Sequence, residues 1–316
     1  MEKLRVGVIG AGYLGRFHAE KYARMDGVEL VAVVDVDESA AARTAETCGA
    51  ASCTDYRMLF GRVDAVSVVV PTALHFPISR DCLEHGVDVL IEKPITASLE
   101  EADELIRIAE SRGLLIQVGH LERFNPAVLA LEGEVSRPLF IESNRLSIYR
   151  ARGTDVSVVL DLMIHDIDII LNLVRSEPID IRAAGLPVIG SQVDIANARL
   201  AFASGAVANV TASRVSLKNE RSIRLYQRDA SFAVDFAARS ITAIRPGDSP
   251  ENECPIPGME MSQRSFEDSD ALEDELRSFV ESVRRRREPE VTGKMGRDAL
   301  RIALSVMEQI DARAGR

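Results

Sequence analysis

The sequence predicts an α/β protein: a doubly wound parallel sheet first, then a second, α+β domain on a mostly antiparallel open sheet. Three observations carry this reading. Through residue 120, short continuous apolar runs alternate with helix-period segments, the pattern of parallel strands covered on both faces. A glycine-rich turn follows the first apolar run, and an acid ends the second. Beyond residue 120 the apolar residues fall at alternate positions, the period of strands with one covered face.

The elements follow in order. "KLRVGVIG" is a strand, and "RFHAEKYARM" continues the helix that its glycine turn opens. "VELVAVVDVD" is a second strand ending on Asp35; "ESAAARTAETCG" is a helix closed by Gly49, a C-cap glycine. "DAVSVVVPT" is a third strand and "ALHFPISRDCLEHG" a third helix. "DVLIEK" is a fourth strand, "SLEEADELIRIAESRG" a helix opened by the capping-box pair Ser98 and Glu101, and "LLIQVGH" a fifth strand. A helix follows "ERFNP". Then come the alternating strand "PLFIESNRLSIY", the helix "DVSVVLDLMIHDIDIILNLVR", six strand-like runs from 179 to 246, an exposed loop over 245–261, and helices near 268–287 and 295–312. The domains are therefore expected at 1–120 and 121–316, the last helix being free to return to the first domain.

Composition sets bounds on function. The 316 residues are 46% hydrophobic and 28% charged, a globular balance. The net charge of −11 argues against non-specific nucleic-acid binding. No apolar run approaches a membrane span, and the N-terminus enters a strand with no signal-peptide pattern. The expectation is a cytoplasmic protein. Four cysteines without C-x-x-C spacing read as free thiols, with no metal site. "RRRR" at 284–287 reads as the solvated basic end of a helix with an acidic start.

Gly10-Ala11-Gly12-Tyr13-Leu14-Gly15, set between a strand and a helix, with Asp35 ending the next strand, is the dinucleotide fingerprint of the Rossmann fold. Gly10 allows the tight turn, Gly12 the approach of a pyrophosphate to the helix start, and Gly15 the packing of helix on strand. Asp35 suits ribose hydroxyls and opposes a 2′-phosphate, so the expected cofactor is NAD. Three strand ends face the same edge: Pro71 and Thr72, with His75 following; Glu92, Lys93 and Pro94; and Gly119 with His120. Pro94 restricts Lys93, which suits an ammonium aimed at a substrate. In the later helix, Asp161, His165 and Asp168 recur along one stripe, with Asp166 on another face. A carboxylate beside a histidine makes an oriented base; a surface pair or a satisfied polar group is the alternative.

The fingerprint, "EKP" at 92–94 and D-x-x-x-H at 161–165, in this order, resemble the Gfo/Idh/MocA family of NAD(P)-dependent oxidoreductases along essentially the whole chain. The resemblance implies hydride transfer between a hydroxyl-bearing carbon of a sugar, polyol or sugar nucleotide and nicotinamide. It implies Lys93 as catalytic lysine, Asp161 as substrate-orienting acid and His165 as general base. It also implies a homo-oligomer, dimer or tetramer, joined through the open sheet, where the alanine-rich strands at 195–212 could pack; a tight intramolecular sheet is the alternative reading of those small residues. "QVGHLERFNPAV" with "DLMIHDIDI" is similar to the branch that oxidises C3 of UDP-N-acetylglucosamine or related UDP-sugars, whose product passes to a PLP aminotransferase. His120, Arg123, Asn125 and Arg150 are then candidate substrate ligands, with Arg145 and Arg152 as further arginines for an anionic substrate. A dehydrogenase of a free polyol such as an inositol, and a non-catalytic dinucleotide sensor, are the competing readings.

Overall fold

The computed structural model describes residues 2–149, 156–247, 254–266 and 269–314. The chain divides into two compact units, Met1–Leu121 with Asp270–Leu300, and Glu122–Ser269 with Arg301–Arg316.

The first unit runs β1 (Leu4–Ile9), α1 (Tyr13–Arg24), β2 (Val28–Val34), α2 (Glu38–Cys48), β3 (Ala51–Cys53), β4 (Ala65–Val68), α3 (His75–Glu84), β5 (Asp88–Glu92), α4 (Leu99–Arg112) and β6 (Ile116–Gly119). All six strands are parallel, in the order β3-β2-β1-β4-β5-β6. The order reverses at β1, where Ile9 pairs with Val34 on one side and Val68 on the other. Such a switch point leaves a crevice at the carboxyl ends of the strands. The strands read as apolar runs because both faces are covered: Val6, Val8, Val66, Val68, Val89, Leu90, Ile91 and Val118 are fully buried.

Local chemistry sets the helix ends. Asp37 accepts from the N–H groups of Ser39 and Ala40 to start α2, and Gly49 closes it at φ 66°. Ser98 accepts from Glu101 N–H to start α4, while the Glu101 carboxylate reaches back to Ala97 N–H.

α7 (Ala271–Arg285) also belongs to this unit, as does the start of α8 (Gly293–Ala314). That departs from the expected single block at 121–316. The reason is apolar burial: Leu276, Phe279, Val280 and Val283 of α7 join Val6, Val8, Tyr22 and Leu30 in one core cluster. The arginine run at its end is not merely solvated. Arg284 donates to the Gly27 carbonyl, and Arg286, at φ 50° just past the helix, bonds Asp88 and the Gly113 carbonyl.

The second unit carries α5 (Pro126–Glu132), β7 (Phe140–Ile148), α6 (Ile164–Val174), β8 (Pro178–Leu186), β9 (Ile195–Phe202), β10 (Val207–Ser216), β11 (Glu220–Gln227), β12 (Ala230–Asp235), β13 (Ser240–Pro246) and β14 (Met259–Ser265). They form an eight-stranded sheet, β14-β13-β12-β11-β7-β10-β9-β8. Every pair is antiparallel except β7 with β10. β13 and β14 occupy both ends of the stretch expected to be an exposed loop. Four alanines of β9 and β10 point inward: Ala196, Ala198, Ala208 and Ala212 are buried, while Asn197 and Arg199 are exposed and Ala201 on their face is half-buried. The small side chains therefore serve packing within the unit, where α6 lies on β7 and β10. Among the described residues, no helix is long and apolar enough to cross a membrane.

Candidate active site

The turn after β1 is built by steric necessity. Gly10 has φ 104°, and a Cβ there would lie 2.0 Å from the Val69 carbonyl oxygen. A Cβ on Gly15 would lie 1.8 Å from the Gly10 carbonyl oxygen. Gly12 differs, because a Cβ there would meet nothing within 4 Å, and it opens α1 with no side-chain cap. The N–H groups of the first turn thus face an open surface, with no acid in that turn to compete for them. Tyr13 and Leu14 are exposed beside it. An open groove of about 420 Å³ runs from Ala11, Gly12 and Tyr13 to Arg16 and, on α2, Arg43. Asp35 accepts from Ala11 N–H at 2.6 Å and Asp37 N–H at 2.9 Å. A carboxylate has about four acceptor positions, so it retains capacity for ribose hydroxyls. These residues fit a dinucleotide: an uncapped helix start for the pyrophosphate and an acid at the next strand end.

Pro71 caps the short 3-10 turn Thr72–Leu74 after β4. His75 lies deeper, 1% exposed, with Nδ1 2.8 Å from the Pro94 carbonyl and Nε2 2.8 Å from the Val70 carbonyl. Burial lowers its pKa against the opposing pull of those carbonyls. Its ring therefore ties two strand ends together. Glu92 ends β5 and Lys93 follows, half-buried, before a cis Lys93–Pro94 bond. Glu92 Oε1 lies 3.2 Å from His18 Nε2. Burial works against the Glu92 carboxylate, but His18, Lys93 and His75 together hold it below its ordinary range. His120, just past β6, is 1% exposed.

In the second unit a π-helical turn, Val159–Met163, precedes α6. Ile164 N–H reaches back five residues to the Val159 carbonyl. Such wide turns are frequent at functional sites. Asp161 lies within this turn and His165 follows it, both half-buried. Asp168 does not share their exposure: it is 3% exposed, with Oδ1 3.9 Å from Arg123 Nη1. Asp166 is fully buried and takes Arg145 in a fork, Nε to Oδ2 at 2.8 Å and Nη2 to Oδ1 at 3.1 Å. Arg145 Nη1 donates to Glu122 at 2.8 Å.

Three residues expected near an anionic substrate are thus committed within the protein. Arg145 is locked by Asp166 and Glu122. Arg123 is 2% exposed and lies within 3.6 Å of Glu132. Asn125 caps α5 through Ala127 N–H and donates to the Phe236 carbonyl. In each case burial made an internal partner the cheapest solution for the polar group. Arg150 and Arg152 lie outside the described residues. Sequence reasoning missed Asn219 and Arg221, which with Ser147 and Leu162 line a cavity of about 280 Å³ beside the π-turn. No motif marks them; the pairing of β11 with β7 brings Arg221 there, and Asn219, just before β11, accepts from Ile148 N–H at 3.0 Å.

Comparison with known proteins agrees with this architecture. Residues 4–120 match the model of an oxidoreductase family with an NAD-binding Rossmann fold, and residues 127–233 match the Gfo/Idh/MocA C-terminal domain. UDP-N-acetylglucosamine 3-dehydrogenase of Acidithiobacillus ferrooxidans is 36% identical over 99% of both chains. Its solved structure superposes with a TM-score of 0.95, covering 100% of each. Inositol 2-dehydrogenase of Rubrobacter xylanophilus is 32% identical over 68% of this chain and 66% of its own. A levoglucosan dehydrogenase solved with NADH and levoglucosan shares the fold, at a TM-score of 0.88 and 19% identity over 98% of each chain. With its dinucleotide turn, its open-sheet second unit and a relative alike over its whole length, this chain belongs to the Gfo/Idh/MocA family of oxidoreductases.

Proposed function

We propose that the chain is an NAD-dependent dehydrogenase that oxidises the C3 hydroxyl of UDP-N-acetylglucosamine, or of a related UDP-sugar, to a 3-oxo sugar. The observation that carries this is likeness to a UDP-N-acetylglucosamine 3-dehydrogenase over the full length of both chains, at 36% identity. The inositol dehydrogenase likeness covers only 68% of this chain, which places a free polyol second.

The turn from Gly10 to Gly15 and Asp35 hold NAD, which when bound supplies the hydride acceptor. Oxidation removes a hydride from carbon and a proton from its hydroxyl. His165 takes the proton, and Asp161 orients it and grips a neighbouring hydroxyl. Lys93 places an ammonium against the negative charge that grows on the oxygen. Asn219 and Arg221 are better placed than Arg123 and Asn125 to meet an anionic substrate, since they line an open cavity.

The 3-oxo product is the chemistry that a PLP aminotransferase consumes, which makes such an enzyme the proposed downstream partner. A homo-oligomer in the cytoplasm is the proposed working form. The test is NADH formation with UDP-N-acetylglucosamine, free N-acetylglucosamine and myo-inositol in parallel, with a carbonyl trap present. Turnover of the free polyol alone would overturn the sugar-nucleotide reading.

A further inference from the structure

Three polar groups meet in the interior of the first unit: His18 of α1, Glu92 at the end of β5 and Glu275 of α7. One nitrogen or oxygen from each lies within 4.8 Å of the other two. His18 and Glu275 are 0% exposed. His18 Nε2 and Glu92 Oε1 are already paired at 3.2 Å. Both Glu275 oxygens, His18 Nδ1 and Gln117 Oε1 are buried without a hydrogen-bond partner, although Gln117 Nε2 donates to the Glu275 main-chain carbonyl at 3.0 Å. The fingerprint and the Lys93–Asp161–His165 set make no use of Glu275.

Two carboxylates this close and this dry do not both ionise. The surroundings decide which one keeps its proton. Glu92 is faced by His18 from α1, His75 from α3 and Lys93 next to it in the chain. Glu275 is faced by Glu92, by the His18 ring that Glu92 already holds, and by Tyr22 of α1. Burial first, then the Glu92 charge, pushes the Glu275 carboxyl well above its ordinary pKa.

We propose that Glu275 is a positioning residue that remains a neutral carboxylic acid in the working enzyme, and that its O–H, with His18, forms a buried triad fixing ionised Glu92 and hence Lys93 beside it. A separation below 4.8 Å is closed by a side-chain rotation or by one bridging water. Gly119 belongs to the same arrangement. A Cβ there would press at 3.1 Å on the Glu92 side chain, so glycine leaves the carboxylate room to meet its partners.

The experiment has two arms on the full chain. The first is infrared difference spectroscopy of wild type against Glu275→Gln at alkaline pH, where the wild type should show the C=O stretch of a protonated carboxylic acid that the variant lacks. The second compares Glu275→Leu with Glu275→Gln. Leucine removes the donor and should lower kcat about tenfold while NAD affinity changes less than about twofold, and glutamine, which restores an N–H donor, should recover most of kcat. Absence of the infrared band, glutamine as damaging as leucine, or a stoichiometric divalent metal in the wild type that Glu275→Gln loses would each overturn the proposal. The kinetic arm rests on the proposed role of Lys93. The infrared arm does not, so a wrong substrate and a wrong triad remain distinguishable.

Discussion

Replacing Arg145 by Met is the most informative single perturbation of the second unit. Arg145 is 3% exposed and Asp166 is fully buried. Their fork, with bonds of 2.8 and 3.1 Å, gives the Asp166 carboxylate its cation. Burial alone would lower the Arg145 pKa, but the charges of Asp166 and Glu122 more than reverse this and raise it above its ordinary value. Met removes the cation and leaves a charged carboxylate in the interior. Breaking a buried pair in this way costs about 3–5 kcal/mol. Glu122, being partly exposed, can turn to water, so the loss centres on Asp166. Arg145→Lys keeps a charge but loses the fork, and should cost about 1.5–3 kcal/mol. Arg145→Met with Asp166→Leu removes both charges and should recover most of the loss, giving a coupling energy above about 2 kcal/mol. Urea titrations of the four proteins measure these values. Activity should fall with Arg145→Met as well, because His165 directly precedes Asp166 on α6. A cost below about 1 kcal/mol for Arg145→Met, or a double variant no more stable than the single one, would refute the reasoning.

Other expectations follow from the same geometry. Gly10→Ala forces a side chain onto φ 104° and into the Val69 carbonyl; it should weaken NAD binding by more than about tenfold, measured by fluorescence titration, and lower the melting temperature. Ser98→Ala removes the cap on α4 and should cost about 1 kcal/mol in a urea titration with turnover unchanged. Glu275 is raised in the fold, so between its ordinary and its folded pKa the native state holds a proton that the unfolded chain has released. Stability then falls with rising pH by about 1.4 kcal/mol per unit. Glu275→Gln should remove that slope, making the variant relatively more stable at about pH 8 than at about pH 5; parallel urea midpoints would mean that Glu275 is ionised in the fold. Glu92 is lowered and acts in the opposite sense, its contribution being lost as pH falls through its folded value.

The first sheet was legible because strands buried on both faces must be apolar throughout, and because Gly10, Gly15 and Asp35 meet geometric demands that few residues satisfy. β3 was missed, since its three residues are exposed or half-buried and carry no period. β14 was missed for a related reason: Met259–Ser265 is an edge strand with no buried position. The return of α7 to the first unit depends on packing against residues about 250 positions away, which one-dimensional patterning cannot register. Periodicity separated Asp166 from His165 correctly, but could not show that Arg145 would claim Asp166. It also assumed a regular α-helix where the chain makes a π-turn, and it could not show that Asp168 would be buried beside Arg123 while Asp161 and His165 stay half-buried. For His75, Arg123 and Asn125 the structure supplies internal partners that the sequence could not show. A buried polar group needs a partner, and sequence alone does not say whether that partner is the protein or a ligand.

The central claim is that the chain oxidises a UDP-sugar with NAD, using Lys93. The measurement that meets it most directly is initial-rate NADH formation from NAD and UDP-N-acetylglucosamine, with a carbonyl trap, for wild type and Lys93→Ala. The account predicts turnover by the wild type, no turnover of the free sugar, and loss of at least about a hundredfold in the variant, with NAD affinity little changed. Turnover that survives Lys93→Ala, or that occurs only with a free polyol, would contradict it.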